Sequence, residues 1–307
     1  MSDTLSPLTV GSVFADAIER VAPGIVTVHG RDRVPATGTV IRLSDSTTAV
    51  VTASHVVERE DNLAVVDATG TEYSATLSGR DMNRDLAVLH IEDGGLEGVS
   101  LFDGTPRVGT LAMAVGRPIE RSIQASFGAI SFVGSFGMRA GKTCQIILSE
   151  AVLYPGFSGG PLISSAGEVI GINSSGERQS GRFTIPVAQV QRVVKDIQEL
   201  GYVRLPWVGV SVQQVDLPPH VREALPDQET GLQVLAVEQG SPAATGGVEM
   251  GDMLVSMDGS PLTDVPDLQQ PLCEGFIGQP LSIVAWRGTE RHELTVTPTV
   301  RPEQPRS

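Results

Sequence analysis

The segment Pro155-Gly156-Phe157-Ser158-Gly159-Gly160-Pro161 sets one serine hydroxyl among three glycines. Glycines let a chain turn sharply and let another backbone approach closely. A serine on such a turn suits nucleophilic attack on a carbonyl, because N–H groups of the same turn can converge on the oxyanion that forms. The amides of Gly156 and Ser158 are the candidate donors. An ordinary glycine-rich loop would carry the same letters, so the serine needs a base. Five histidines exist: His29, His55, His90, His220 and His292. His55 ends the run Val51-Thr52-Ala53-Ser54-His55, where small residues leave an imidazole accessible at a strand end. His90 sits inside an apolar strand pattern and His29 precedes a turn. The base in turn needs an orienting acid. Asp85 heads Asp85-Leu86-Ala87-Val88-Leu89, a carboxylate at the mouth of an apolar strand, with Asp81 as its near rival.

The same glycines fit G-x-S-x-G, the nucleophile elbow of α/β-hydrolases. That elbow opens a helix, whereas Pro161–Ile172 reads as strand, turn, strand. Its order also requires a histidine after the serine, which only His220 and His292 could supply. The order His55, Asp85, Ser158 is that of the chymotrypsin class.

Such a constellation needs strands to hold it. The chain has 307 residues, and its 34 glycines and 20 prolines are spread along it. β-branched runs stand at Ile25–His29, Thr39–Leu43, Thr48–Thr52, Leu63–Asp67, Thr71–Leu77 and Leu86–Ile91. More follow at Leu111–Val115, Ala129–Val133, Gln145–Leu148, Leu162–Ser164, Val169–Asn173 and Phe183–Ile185. Turns such as Ser44-Asp45-Ser46 and Ala68-Thr69-Gly70 divide them. Strand–helix–strand alternation is absent, so an antiparallel barrel or sandwich is expected. Phe14, Ile18 and Val21 lie at helical spacing within residues 8–22. Val187, Val190, Val193, Val194, Ile197 and Leu200 predict a closing helix between Pro186 and Gly201. The length predicts two domains. They divide as an N-terminal segment (1–22), a first domain (23–201), a smaller second domain (207–300) and a polar tail (301–307).

A formal net charge of −14 excludes non-specific nucleic-acid binding, since a polyanion is repelled. No apolar run approaches the ~20 residues of a membrane-spanning helix. The acidic first segment carries no secretory signal, which makes a cytoplasmic location the expectation. Cys144 and Cys273 fall in different domains and form no disulfide framework. Scattered histidines and no Cys/His ligand spacing leave no metal site and no cofactor to expect.

Together these residues resemble the HtrA (Deg) serine proteases, in which a trypsin-like domain precedes a PDZ domain. The resemblance covers residues 10–300. It rests on Val21-Ala22-Pro23-Gly24-Ile25-Val26, Thr52-Ala53-Ser54-His55-Val56-Val57, Asp85–Leu89, Pro155–Leu162, Gly167–Asn173 and Ile185-Pro186. It implies a mostly β fold: a chymotrypsin-like double antiparallel β-barrel followed by a smaller PDZ-like α+β domain. It implies Ser158 as nucleophile, His55 as base, Asp85 as orienting acid, and an oxyanion hole from the Gly156 and Ser158 amides. It further implies an endopeptidase acting on unfolded or damaged proteins. A homo-oligomer is implied as well, a trimer built through the N-terminal segment. Phe14 and Ile18 would supply that contact, or pack on their own barrel instead. The alternative function is a latent or inactive chaperone or peptide-binding scaffold.

The chain departs from the family pattern in named places. Phe157 stands where the family usually has Asn and digestive enzymes have Asp, so activation by an ion pair to a cleaved N-terminus cannot operate. Val56 stands where secreted enzymes have Cys. Ala36-Thr37-Gly38-Thr39 replaces a Gly-Ser-Gly segment. Residues 173–182 should line the primary specificity pocket, with no acidic residue at its wall, which implies a small apolar P1 residue. In the second domain Trp207-Val208-Gly209-Val210 resembles a PDZ carboxylate loop. Consecutive amides on a glycine turn can capture a peptide C-terminus while the next strand pairs with the peptide. Pro271 falls inside the expected groove helix (Asp267–Glu274), which is therefore expected to be short or kinked.

Overall fold

Alternation within strands builds the first barrel. A computed structural model describes residues 7–42, 48–91, 95–138, 142–175, 182–204, 206–273 and 277–300. The expected turn at Ser44–Ser46 and the tail at 301–307 lie outside these residues. The chain forms two compact units, the first comprising residues 1–134 and 145–203 and the second residues 204–307 together with 135–144.

In the first unit β1 (Ile25–His29), β2 (Ala36–Arg42), β3 (Thr48–Ala53), β4 (Leu63–Val66), β5 (Glu72–Asp81) and β6 (Leu86–Ile91) close into a barrel in the order β1-β2-β3-β6-β5-β4. Side chains of a strand point alternately to opposite faces. In β2, Ala36 and Val40 join the barrel core with Val26, Val28, Val50 and Leu89. Gly38 faces the same way, and a Cβ there would meet Val50 at 2.6 Å. Thr37 and Thr39 therefore face outward, and both are fully buried against the rest of the unit.

A second barrel follows: β7 (Leu111–Ile119), β8 (Ser122–Met138), β9 (Lys142–Ser149), β10 (Pro161–Ile163), β11 (Val169–Ser174) and β12 (Phe183–Pro186), in the order β10-β11-β12-β9-β8-β7. Helix α1 (Pro7–Val21) packs Phe14 edge-on against Phe127 of β8, with ring centroids 4.9 Å apart. Its Ala17 and Val21 are buried. Helix α2 (Val187–Leu200) buries Val187, Val190, Val193, Val194 and Ile197 and ends at Gly201 in the left-handed conformation, φ +79°. Its Gln189 accepts from Arg84 of the first barrel and donates to Gln145 O of the second, at 3.2 and 3.1 Å.

The second unit is built on a six-strand sheet edged by short helices. Its first strand, β13 (Pro206–Trp207), pairs outside that sheet. The sheet comprises β14 (Val210–Asp216), β15 (Thr230–Val237) and β16 (Met253–Met257), with the short β17 (Ser260–Pro261) beside β16. It is completed by β18 (Leu281–Arg287) and β19 (Glu290–Val296), while β20 (Thr299–Val300) pairs with β13. Helices α3 (Pro219–Ala224), α4 (Pro242–Thr245) and α5 (Val265–Cys273) complete it. Helix α5 begins before Asp267 and ends at Cys273, so it is short, as expected, and Pro271 near its end leaves the carbonyl four residues back without its helix bond.

One ion pair matters for this unit. Asp252 is fully buried and accepts from Arg287 Nε at 2.8 Å, Arg287 Nη2 at 2.9 Å and the Glu249 amide at 2.9 Å. Burial pushes its carboxyl up, but the bonds from Arg287 and Glu249 outweigh that and hold it below the ordinary value of 3.8. A depressed carboxyl stabilises the fold above the unfolded pKa, and that contribution is lost as pH falls through the folded value. Arg287→Met leaves the charge buried without its partner, which typically costs about 3 kcal/mol. Urea unfolding at pH 7 should show that loss in the second unit. The penalty should shrink as pH falls below 3.8.

Candidate active site

The pairing of β3 with β6 sets Ala53 opposite Leu86. The chain leaves β3 in a single 3-10 turn, Ser54–Val56, so this register carries His55 to the start of β6. There the Asp85 carbonyl accepts from the Ser54 amide at 3.1 Å. The Asp85 carboxylate accepts from the His55 amide at 2.9 Å and from His55 Nδ1 at 2.7 Å. Ser174 Oγ donates to the same carboxylate, 2.5 Å from Oδ2. Asp85 has φ +56°, a left-handed conformation that Asp tolerates better than most residues. His55 and Asp85 are only 16% and 18% exposed, so their contact is largely shielded from water.

Asp81 is engaged elsewhere. It caps its turn through the amides of Asn83 and Arg84 and forms a buried ion pair with Arg84 Nη1 at 2.6 Å. His29 meets Glu120 and His220 meets the Gly288 carbonyl, both away from Asp85.

The serine loop is held by its carbonyls. Thr37 Oγ1 donates to Gly156 O at 2.7 Å, the Thr37 amide to Ser158 O at 3.2 Å, and Thr39 Oγ1 to Gly159 O at 2.9 Å. The Phe157 amide donates to Tyr154 O and the Gly160 amide to Phe157 O. Gly156 and Gly159 both have φ +86°. At Gly159 a Cβ would strike Thr37 O at 2.1 Å, so only glycine fits. The amides of Gly156 and Ser158 have no hydrogen-bond partner among the described residues. Ser158 Oγ lies 2.8 Å from Ser175 Oγ and accepts from the Ser175 amide at 3.3 Å. No hydrogen bond joins it to His55 Nε2 in this arrangement. His55 and Asp85 are thus assembled, and the Ser158 hydroxyl is turned to Ser175.

Phe157 points away from the loop's amides. It is fully buried in the second barrel's core, edge-on to Tyr154 with centroids 5.4 Å apart. Its ring lies over Gly116, where a Cβ would come within 2.6 Å. The absence of a side chain at Gly116 makes its room.

Comparison with known proteins matches both units. A family model for a trypsin-like peptidase domain matches residues 36–172, and one for a PDZ domain matches residues 206–297. The putative serine protease HhoA of Synechocystis is 31% identical over 268 residues, covering 82% of this chain and 68% of that protein. The HtrA-type protease AlgW, solved with a tripeptide, superposes with a TM-score of 0.72 at 30% identity, covering 95% of this chain and 98% of that one. The chain belongs to the HtrA-type serine protease family. Serine endoprotease DegS of Escherichia coli is 27% identical over 302 residues, with 92% of this chain and 84% of that one covered. This HtrA-type chain spans about half of a DegP-like relative from Brucella suis, 54% of its length at 32% identity.

In the PDZ unit of this HtrA-type chain, Trp207 ends β13 and Val210 begins β14, with Val208 and Gly209 between them. The carbonyls of Val208 and Gly209 accept from the amides of Ala243 and Glu238. Their own amides donate to nothing among the described residues. Gly209 has φ +77°, and a Cβ there would sit 2.3 Å from Ser241 Cβ. Strand β14 is an edge of its sheet, with α5 beside it. Among the described residues no group of three His, Cys, Asp or Glu could hold a metal ion. No described helix is long and apolar enough to cross a membrane.

Sequence reasoning missed two groups. Ser174 was placed in the specificity pocket, yet its hydroxyl bonds Asp85. Thr37 and Thr39 were read as a departure from a motif, yet they hold the serine loop. Their signal was present: threonines alternating with small residues in a strand signal hydroxyls on one face. Of the expected pocket segment, residues 176–181 lie outside the described residues.

Proposed function

We propose that this chain is a serine endopeptidase acting on unfolded polypeptides, with Ser158 as nucleophile, His55 as base and Asp85 as orienting acid. The observation that carries it is the Asp85 carboxylate bonding both the amide and Nδ1 of His55. With Nδ1–H committed to Asp85, Nε2 is the lone-pair nitrogen, on the side of the ring away from Asp85, and takes the serine's proton. The free amides of Gly156 and Ser158 then receive the oxyanion as Ser158 Oγ bonds the carbonyl carbon. His55 returns the proton to the leaving amine, and water repeats the sequence on the acyl-enzyme. Before the first step the Ser158 hydroxyl rotates from Ser175 toward His55.

That starting position favours one further reading, a latent state that peptide binding relieves. The carboxylate loop at Trp207–Val210 and the open edge of β14 suit a peptide C-terminus. AlgW was solved with peptides, which supports the same assignment here. A small apolar P1 residue and a trimer built through α1 are carried over from the family pattern. Phe14 packs on Phe127 of its own chain, which supports the reading that it packs on its own barrel. The DegP-like relatives are named periplasmic, and they lend no support to a cytoplasmic location.

The test is incubation of the protein and Ser158→Ala with unfolded casein and with a fluorophosphonate probe, with and without C-terminal peptides. Casein loss and labelling should both appear in the wild type and vanish in the variant. Neither appearing under any condition would make the binding scaffold the better reading.

A further inference from the structure

The oxyanion loop of this chain lacks a polar side chain of its own to fix it. Phe157 occupies the position from which digestive enzymes extend a carboxylate, and its ring is committed to the barrel core. Two bonds hold the peptide between Gly156 and Phe157: its N–H donates to Tyr154 O at 3.0 Å and its carbonyl accepts from Thr37 Oγ1 at 2.7 Å. The Gly156 amide is joined to this plane through a single Cα, with φ at +86°, so turning the plane turns the amide with it unless the glycine's dihedrals compensate. Thr37 Oγ1 is itself aimed. It accepts from the Arg117 amide at 2.8 Å, so its single proton has one remaining acceptor, Gly156 O.

Arg117 is fixed in turn. Its guanidinium donates to Ile25 O at 2.7 Å and to Ala22 O at 2.9 Å, just beyond the C-terminal end of α1, where helix carbonyls favour a cation. Its carbonyl accepts from Thr27 Oγ1 at 2.8 Å. Arg117 and Thr37 are 3% and 0% exposed, so water cannot replace these bonds freely. Burial lowers the Arg117 pKa from its ordinary value, in keeping with a guanidinium held mainly by carbonyl oxygens.

We infer that Thr37 is a positioning residue for the oxyanion hole, its hydroxyl aimed by Arg117 at the Gly156 carbonyl so that the Gly156 amide stays directed into the site. The inference rests on the protease reading above. Losing a hole donor typically lowers kcat by about 10²–10³-fold. Loss of its positioning is expected at the lower end.

The experiment measures kcat and KM on fluorescein-labelled casein, the fluorophosphonate labelling rate and the melting temperature for wild type, Thr37→Ser, Thr37→Cys and Thr37→Val. Valine keeps the shape and removes the hydroxyl. Cysteine keeps a weak donor and serves if the valine variant does not fold. The expected result is a fall in kcat and labelling rate in the order Thr, Ser, Cys, Val. It should reach about 100-fold for valine, with KM within about two-fold and serine within about three-fold of wild type. Folded valine or cysteine variants with wild-type kcat would overturn the inference. So would a serine variant as impaired as valine, because serine keeps the hydroxyl. A wild type that neither cleaves casein nor labels would sink the protease reading and this inference with it. An active wild type matched by its variants would sink the inference alone.

Discussion

Asp85→Asn should lower kcat by about 10⁴-fold while leaving the fold intact. Asn tolerates the left-handed conformation that residue 85 adopts, so the backbone has no reason to shift. Its amide oxygen can still accept from the His55 amide, as Asp85 Oδ1 does now. The amide nitrogen then faces His55 Nδ1 and Ser174 Oγ, where Oδ2 accepts two bonds in the native site. A donor there pairs with an unprotonated Nδ1, which places the ring's proton on Nε2. An imidazole in that tautomer cannot take the proton of Ser158. Kinetics on casein with a thermal melt tests this. A kcat within ten-fold of wild type would remove Asp85 from the mechanism. Asp81→Asn is the control. It breaks the buried pair with Arg84 and should lower stability more than kcat.

Phe157→Asn, which restores the residue usual in the family, should destabilise the first unit by about 3–5 kcal/mol rather than improve it. The ring is fully buried, and its loss opens a cavity against Gly116 and Tyr154. The incoming amide would also enter an apolar core lined by Ala112, Ala114, Leu153 and Leu162, with its hydrogen bonds unmade. At roughly 2–4 °C per kcal/mol for a unit of this size, the melting temperature should fall by about 10 °C. A melting temperature within 2 °C of wild type would show that the loop carries the residue outside the core.

The parts legible in the sequence were those with a local signature. β1 and β6 begin and end where β-branched runs do, at Ile25–His29 and Leu86–Ile91. The Pro186 and Gly201 boundaries of α2 follow from proline and glycine backbone preferences. β8 was expected over Ala129–Val133 but runs from Ser122 to Met138. Its serine- and glycine-rich flanks have low strand propensity, and pairing with β7 overrides it. His55 and Asp85 were legible one at a time because each ends or begins a strand. Their contact depends on the β3–β6 register, which no local pattern specifies. The acceptor of the Thr37 hydroxyl and the inward turn of Phe157 are illegible for the same reason. Each depends on a partner distant in sequence, Gly156 for the one and Gly116 for the other.

The division of the site between two barrels also fixes when it can first exist. Residues 25–91, which carry His55 and Asp85, form a closed barrel on their own. Ser158, Ser174 and the loop gripped by Thr37 belong to chain made later. A ribosome working from the N-terminus at about 5–20 residues per second therefore releases His55 and Asp85 several seconds before Ser158. Until β10–β12 close the second barrel, the growing chain holds His55 beside Asp85 with no place yet for Ser158.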